Sequence, residues 1–466
     1  MAGESVQTPA QQLEAILTRT DRLSVDGEGD LLIEDVKGTG LLQRFGSPLY
    51  VFSEATLREN YRRIRRAFTD VWPGPVNIMY AIKANTNLAL RTILHQEGAG
   101  GDCFSEGELY ATFKAGADPQ KIALNGGYKT VECLRIAIER GITINLDAED
   151  EIEKTRTLCQ SIGKPVNVNI RLKPLSDAFN QNRTDYFGGD RLAEHVRRTK
   201  WGFSTEAASK LIERIQLIPE LRLTGLSVHI GRASRELAFY RHYGQAVGRM
   251  AADLHRETGF APQVLDIGGG WARERDPESG SLDLNPTPVE ELVRVTCSEI
   301  LTHFGTASMP VPALWVEPGR FIVGNASVLL STVGIIKKDI GLTWVTIDAS
   351  TNDLPRIDTS GSAYHVVAAS GMHRPADHEV DVVGPICIDS SIGKTVQMPA
   401  LCPGEPVAIL DAGMYSESAS TQFNSIPRPA TVLVSESTVD VIREREKIND
   451  IFRLHRIPRR LQSDQE

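Results

Sequence analysis

Short apolar runs alternate with longer amphipathic stretches between residues 76 and 318. The apolar runs are rich in β-branched residues and too short for helices, which is typical of strands. Stretches between them, such as 105–116, 130–141 and 205–218, repeat apolar residues at helical spacing. Continuous apolar strands alternating with helices predict an α/β fold, a (β/α)8 TIM barrel. We count about eight strands, at 76–83, 98–104, 121–126, 143–147, 166–172, 223–230, 263–269 and 313–319.

The pattern changes after about residue 325, where short β runs follow one another between turns, without long helices. This pattern predicts a mostly antiparallel β domain at the C-terminal end. The early run at 47–53 precedes the barrel, and we expect it to join that β domain. The chain therefore divides into an N-terminal segment at 1–54, a barrel at 55–320 and a C-terminal β domain at 321–466.

The composition of the chain limits the classes of partner that we expect it to bind. Its 466 residues carry a formal net charge of −9, which argues against a nucleic acid or an anionic membrane as partner. We find no apolar segment of membrane-spanning length and no apolar core of a secretory leader at the start. The six cysteines are scattered without zinc spacing, so we expect reduced thiols, no metal site and a cytoplasmic protein.

Ionisable residues and glycines concentrate where the predicted barrel strands end. The C-terminal ends of barrel strands form the usual active-site face, whereas ordinary strands meeting solvent would explain only one or two such residues. Lys83 ends a buried run, where desolvating an ammonium is expensive. It is either a lysine that snorkels to solvent or an amine nucleophile that forms a Schiff base, with burial lowering its pKa. The strand-end residues are Lys83, Asp102, Asn125, Asp147, Arg171, His229, Gly268, Gly269, Gly270 and Glu317.

Two glycine-containing motifs suggest a phosphate site. The sequence LDIGGGW (265–271) places three glycines after a strand, where amides without a Cβ can surround a phosphate, although a tight turn would look the same. In EPGR (317–320), Gly319 and the Arg320 amide could complete the cradle while Glu317 holds a cationic ring nitrogen. The alternative is a Pro-Gly turn with a surface Glu–Arg pair.

Three further side chains are candidates for chemistry. His229 could lie against a ring or exchange protons, or it could be structural. Cys387 follows a Gly-Pro turn and could deliver a proton, although most unpaired cysteines pack as small apolar groups. Tyr415 lies on a glycine-containing turn, from which its hydroxyl could reach a phosphate or a carboxylate.

Together these segments resemble the fold-type III pyridoxal-phosphate (PLP) decarboxylases, and most of all diaminopimelate decarboxylase. The resemblance extends over about residues 47–435. It implies a PLP-binding barrel plus a β domain, assembled as a head-to-tail homodimer with shared active sites. The matching motifs are YAIKAN (80–85), FSEGEL (104–109), HIG (229–231), LDIGGG (265–270), EPGR (317–320), IDASTNDLPR (347–356), GPIC (384–387) and DAGMY (411–415).

The resemblance also implies roles for single residues. Lys83 would carry PLP, His229 would stack on its ring and Glu317 would contact the ring nitrogen. The phosphate site would comprise Gly269 and its neighbours Gly268 and Gly270, together with Gly319, Arg320 and Tyr415; we add Asp102 to the cofactor-binding residues. Cys387 and Tyr415 would reach in from the second subunit, as proton donor and as phosphate or substrate contact. Arg320 and Arg356 would hold a distal carboxylate of the substrate.

The chain departs from the family pattern where the distal end of the substrate is expected. A family tyrosine is Ser360, the family's Cys-Glu-Ser reads Cys387-Ile388-Asp389, and Arg232 replaces a small residue after HIG. Ile388 cannot compensate a buried ammonium, whereas the two arginines suit a carboxylate.

We therefore expect an amino acid with a distal carboxylate and a different or absent distal amine, from a specialised biosynthetic pathway. If Asp389 replaces the missing glutamate, the chain would instead be a meso-diaminopimelate decarboxylase of lysine biosynthesis. An amino-acid racemase or a non-catalytic PLP-binding regulatory relative would also account for part of the motif pattern.

Overall fold

The structure, a computed structural model, describes residues 6–181, 192–230 and 235–462. The described part of the chain opens with a helix and a small antiparallel sheet, followed by a second helix and a strand that leads toward the barrel. These elements are α1 Pro9–Ile16, β1 Leu23–Val25, β2 Leu31–Ile33, β3 Val36–Lys37, α2 Gly38–Phe45 and β4 Leu49–Ser53.

Eight parallel strands then close into a barrel. The first and last of these strands pair to close the barrel, with Leu314 beside Val76 and Val316 beside Ile78. Side chains alternate along each strand, so that in the first one Ile78 and Tyr80 pack in the main core while Met79 points to a small inner cluster with Ala123 and Trp315. The barrel strands are β5 Val76–Ala81, β6 Gly100–Cys103, β7 Ile122–Leu124, β8 Thr143–Leu146, β9 Val166–Leu172, β10 Leu221–Val228, β11 Val264–Asp266 and β12 Ala313–Val316.

Helices connect the barrel strands, and local sequence fixes several of their ends. Ser105 and Thr130 accept hydrogen bonds from amides in the first turns of two helices, and Gly141 and Gly163 end helices in the left-handed conformation that glycine adopts without strain. The helices are α3 Glu54–Thr69, α4 Leu88–Gln96, α5 Glu106–Lys114, α6 Val131–Arg140, α7 Asp150–Ile162, α8 Leu192–Arg198, α9 Thr205–Gln216, α10 Leu237–Thr258, α11 Val289–Thr306 and α12 Arg320–Val323.

The C-terminal part forms a nine-stranded, mostly antiparallel sheet. Strand β4, from the N-terminal segment, pairs with a C-terminal strand on each side and therefore lies inside this sheet. A second hydrophobic cluster packs Leu13 and Leu31 from the N-terminal segment against the sheet. The elements are β13 Ser327–Asp339, β14 Leu342–Ile347, α13 Arg356–Ser360, β15 Val366–Ala368, β16 His378–Val383, β17 Ser391–Met398, β18 Pro406–Ile409, β19 Ala430–Ser435, β20 Thr438–Arg443 and α14 Ile448–Phe452.

The predicted fold class is confirmed: each of the eight predicted runs contains or overlaps a barrel strand, and the β-rich C-terminal part forms the sheet. The strand ends differ, because β5 stops at Ala81 and Lys83 lies in a short 3-10 turn, Ile82–Ala84. The division at 54/55 and 320/321 stays a prediction. Within the described ranges, no helix combines the length and apolar character needed to cross a membrane.

Candidate active site

Lys83 lies at the C-terminal end of the barrel, directly after β5. Its Nζ is 2.5 Å from Oδ2 of Asp102 and 4.8 Å from the centroid of the Phe104 ring. Burial lowers the pKa of Lys83, but the negative charges of Asp102 and Glu317 outweigh it, so the pKa lies above its ordinary value. Our expectation that burial would lower this pKa is therefore wrong, because the fold brings two carboxylates to the amine.

Three buried carboxylates converge near Lys83. Asp102 and Glu317 are bridged by the side-chain amide of Asn125, which donates to both at 2.7 Å. Asp266 accepts a hydrogen bond from the Gly268 amide at 2.9 Å. Burial raises the pKa of Glu317 well above its ordinary value, and the negative charges of Asp102 and Asp266 add to this effect. Three carboxyl groups therefore meet a single ammonium at the bottom of the site, and the raised pKa favours the protonated form of Glu317.

Both motifs need glycine because a side chain at these positions would clash with neighbouring atoms. A Cβ on Gly268 would overlap the ring of His229, one on Gly269 would overlap the carbonyl oxygen of Glu317, and one on Gly319 would lie 2.9 Å from Cβ of Ala84. Gly268 also has a φ of +66°, in the left-handed region. The two loops thus approach each other as closely as backbone permits and leave amides along one wall of the pocket.

His229 is held as a neutral ring. The amide of Gly269 donates to its Nδ1 at 3.1 Å, which leaves the remaining proton on Nε2. Burial lowers the pKa of His229 well below its ordinary value, and the positive charges of Arg171, Lys83 and Arg320 lower it further. The imidazole therefore offers a flat, uncharged face to the pocket it lines.

Two arginines lie on another wall, already paired with carboxylates. Nη1 of Arg320 is 3.2 Å from Oδ2 of Asp276, and Nη2 bonds Glu278. Nε of Arg356 is 3.2 Å from Oε1 of Glu278, and its guanidinium carbon lies 4.6 Å from the centroid of the Tyr415 ring. Two positive and two negative charges meet here, so this wall has no net charge.

Most of the predicted site residues do meet in one pocket, with about 600 Å³ of empty space that includes open solvent. Asp102 lies behind Lys83, and Gly268 behind Gly269. Sequence reasoning missed Glu278; the only signal was the acidic composition of ERDPES (274–279) after the glycines. The lining residues are Ala81, Lys83, His229, Gly269, Gly270, Glu278, Glu317, Gly319, Arg320, Arg356 and Tyr415.

Besides Asp102 and Gly268, four predicted residues do not line this pocket. Cys387 is exposed, with its amide donating to Oδ1 of Asn424 at 3.2 Å, and Ile388 is 38 % exposed on the same turn as Asp389. The hydroxyl of Ser360 donates to the carbonyl of Arg356 at 3.0 Å, which turns it back onto its own helix α13. Arg232 lies outside the described residues.

The expected origin of Tyr415 is wrong. We expected it to reach in from a second subunit, yet it lines the pocket of its own chain. The reason is a direct backbone link, since the amide of Tyr415 donates to the carbonyl of Ala84 at 2.7 Å and the hydroxyl of Ser418 donates to the carbonyl of Lys83 at 3.1 Å. The turn that carries Tyr415 is thus fastened to the turn that carries the lysine.

Comparison with known proteins identifies the family. Residues 54–324 match the model of the pyridoxal-dependent decarboxylases, pyridoxal-binding domain. The chain belongs to this family. It is 33 % identical to the diaminopimelate decarboxylase of Methanothermobacter thermautotrophicus, over 94 % of this chain and 98 % of the relative. It is 31 % identical to that of Archaeoglobus fulgidus, over 92 % and 98 % of the two chains.

Solved structures agree with this assignment. The diaminopimelate decarboxylase of M. jannaschii in complex with L-lysine is similar to this chain with a TM-score of 0.85 and 26 % identity, covering 96 % of this chain and 100 % of the other. The chain is thus a PLP-dependent decarboxylase similar to diaminopimelate decarboxylases. This assignment sets aside the racemase and the non-catalytic binding protein.

The pocket residues fit PLP. The surplus of buried carboxylates around Glu317 matches a cationic ring nitrogen, and the glycine amides, close enough to exclude any Cβ, match a phosphate. Lys83 supplies the amine that an aldehyde requires, and His229 supplies the flat uncharged ring beside it.

Proposed function

We propose that this decarboxylase acts on an α-amino acid whose distal end carries a carboxylate, and whose distal amine is absent or held differently from that of meso-diaminopimelate. The observation that carries the proposal is the position of Arg320 and Arg356 in the same pocket as Lys83. Guanidinium groups are suited to carboxylates. The loss of a family carboxylate at Ile388, which lies on an exposed turn, supports the altered amine.

The bottom of the pocket would hold the coenzyme. Lys83 would attach it covalently, the Gly269 and Gly319 loops would bind its phosphate, and Glu317 would share a proton with its ring nitrogen. When bound, PLP supplies the sink for the electron pair released as the α-carboxylate leaves as CO₂. His229 would hold the ring in place without adding a charge that would compete with Glu317.

The chain's own groups would handle the protons. Asp102, 2.5 Å from Nζ of Lys83, is in position to accept the proton that the ammonium must lose before it acts as a nucleophile. A proton must also reach the α-carbon once CO₂ has left, and Cys387 from a second subunit would supply it. The exposure of Cys387 supports this role, because an unburied thiol is available to a neighbouring chain. The same proposal includes a cytoplasmic homodimer in which each active site contains residues of both subunits.

A second substrate, meso-diaminopimelate itself, is favoured by one specific observation. Glu278 places a carboxylate in the pocket beside both arginines, so a distal ammonium need not depend on the Ile388 position. The relatives with the printed name diaminopimelate decarboxylase point to the same substrate.

A substrate panel decides between the two. CO₂ release is measured with meso-diaminopimelate, basic amino acids of both hands, and amino acids with a carboxylate on a conjugated distal group, with Lys83→Ala as the inactive control. The proposal requires the highest kcat/KM for a distal carboxylate other than meso-diaminopimelate. If meso-diaminopimelate exceeds every other compound, the altered-specificity proposal is wrong, and equal turnover of substrates without a distal carboxylate would overturn the role of the arginines.

A further inference from the structure

Glu278 is a buried carboxylate inside the substrate pocket. It lies in the short 3-10 turn Pro277–Ser279, and the side chain of Asp276 starts this turn by accepting from the Glu278 amide at 3.2 Å. The side chain of Glu278 is 1 % exposed, yet it lines the cavity that contains Lys83. A buried charge in such a place needs partners, because desolvation is expensive.

The partners of Glu278 use only part of its capacity to accept hydrogen bonds. One oxygen bonds Arg320. The other, Oε1, lies 3.2 Å from Nε of Arg356, but neither atom has a hydrogen bond to any described residue. An ionised carboxylate accepts several hydrogen bonds, and a buried oxygen that makes none calls for a specific explanation. Oε1 is therefore a buried acceptor beside Arg356 whose hydrogen-bonding capacity no described residue uses.

The charges around the arginines restrict the ligand. Asp276 and Glu278 neutralise Arg320 and Arg356, so a lone carboxylate entering here would meet a site without excess positive charge. A distal group that carries both a carboxylate and an ammonium matches this site without leaving a charge unbalanced. The carboxylate would contact the guanidinium of Arg356, which is 24 % exposed, and the ammonium would donate to Glu278.

We propose that Glu278 is a specificity-determining residue that binds a distal ammonium and so selects substrates with a zwitterionic distal end. This inference rests on the proposed function, since it takes the arginines as the carboxylate site. In this arrangement the negative charge that pairs with the distal amine comes from Glu278, in the loop that follows the glycine motif, and not from the turn that contains Ile388. Of the two forms of the proposed function, this arrangement therefore favours a distal amine that is held differently over one that is absent.

Three amines of similar length test the inference by binding. L-Lysine, 6-aminohexanoate and cadaverine share the amine that approaches Lys83, and they end in a zwitterion, a carboxylate and an ammonium. Dissociation constants are measured by calorimetry with the full-chain holoenzyme. The wild type is expected to bind L-lysine tighter than 6-aminohexanoate by on the order of tenfold to a hundredfold, the range for a hydrogen bond between charged groups. In Glu278→Gln this preference should fall to about one.

The control variants separate Glu278 from other acidic residues. Glu274→Gln removes a charge from the same loop at a residue that pairs with Arg63, and it should keep the wild-type preference. Asp389→Asn tests the other candidate counter-charge; loss of the preference there, with Glu278→Gln unaffected, would overturn the inference. If Glu278→Gln does not fold, Glu278→Asp decides, because withdrawing the carboxylate by one methylene should reduce the preference, and an unchanged preference contradicts a direct contact.

Failure of the inference and of the proposed function give different results. If 6-aminohexanoate binds better than an amine of the same length without a carboxylate, but Glu278→Gln leaves the preference for L-lysine unchanged, only the role of Glu278 is refuted. If neither carboxylate ligand binds better than cadaverine, the arginines are not a carboxylate site, and both proposals fall together.

Discussion

The buried carboxylate at Glu317 gives the sharpest physical prediction. Burial and the negative charges of Asp102 and Asp266 raise the pKa of Glu317 well above its ordinary value, so the protein without PLP must hold a proton there or accept an uncompensated charge. Glu317→Gln has nearly the same shape, and its side-chain oxygen can still accept the hydrogen bond from Asn125. The substitution removes the ionisable group and little else.

The sign and size of the effect follow from linkage. The folded-state pKa of Glu317 lies above its unfolded value of 4.5, so its contribution to stability is complete below that pH and is lost as the pH rises through the folded-state pKa. The free energy of unfolding of the PLP-free wild type should therefore fall relative to that of Glu317→Gln by about 1.4 kcal/mol for each pH unit above about 4.5, until the folded-state pKa is reached.

Urea unfolding of both PLP-free proteins between about pH 5 and pH 9 measures this difference. A matched control is Glu290→Gln: burial raises the pKa of Glu290, but the hydrogen bond from Arg63 outweighs it, so the folded-state pKa lies below its ordinary value. The stability that Glu290 contributes is therefore complete above that value and is lost only at lower pH, so wild type and Glu290→Gln should differ by a nearly constant amount over this range. Adding PLP should stabilise the wild type more than the variant, because a ring cation needs the charge that Gln lacks. Parallel stability curves for wild type and Glu317→Gln would refute the electrostatic reasoning.

Further predictions concern the shared site and the glycine loops. Cys387→Ser should keep the coenzyme spectrum and lose on the order of a hundredfold or more in turnover, the usual contribution of a positioned proton donor, and full activity would remove the thiol from the mechanism. Mixing inactive Lys83→Ala and Cys387→Ala subunits should restore about one quarter of wild-type activity, as expected when each hybrid dimer contains one intact site, whereas no recovery contradicts shared sites. Gly269→Ala should destabilise the fold by about 1–3 kcal/mol, because its Cβ overlaps the carbonyl oxygen of Glu317. The same substitution should weaken PLP binding, measured by equilibrium dialysis. Unchanged affinity would show that this loop does not hold the phosphate.

The fold was predictable because its signals are local and repeated. Each barrel strand is a short apolar run between polar turns, and parallel strands in a barrel place all their C-terminal ends on one face. Lys83, His229 and Glu317 therefore had to meet once the barrel was predicted, whatever their separation along the chain.

Other features depend on contacts that no local pattern encodes. Glu278 lies in a long connection without apolar periodicity, and only the fold brings it to Arg320 and Arg356. The raised pKa of Lys83 depends on Asp102, which belongs to the next strand of the barrel. The origin of Tyr415 was mistaken because motif order along a chain does not distinguish a pocket of the same subunit from one of its neighbour.

Identifying the lysine that binds PLP covalently is the most direct test of the role of Lys83. The holoenzyme is reduced with borohydride, digested and analysed by mass spectrometry, with Lys83→Ala treated in parallel. A single phosphopyridoxyl adduct is expected on Lys83 and should be absent from the variant. An adduct on a different lysine, such as the buried Lys129 that pairs with Glu151, or no adduct at all, would contradict that role.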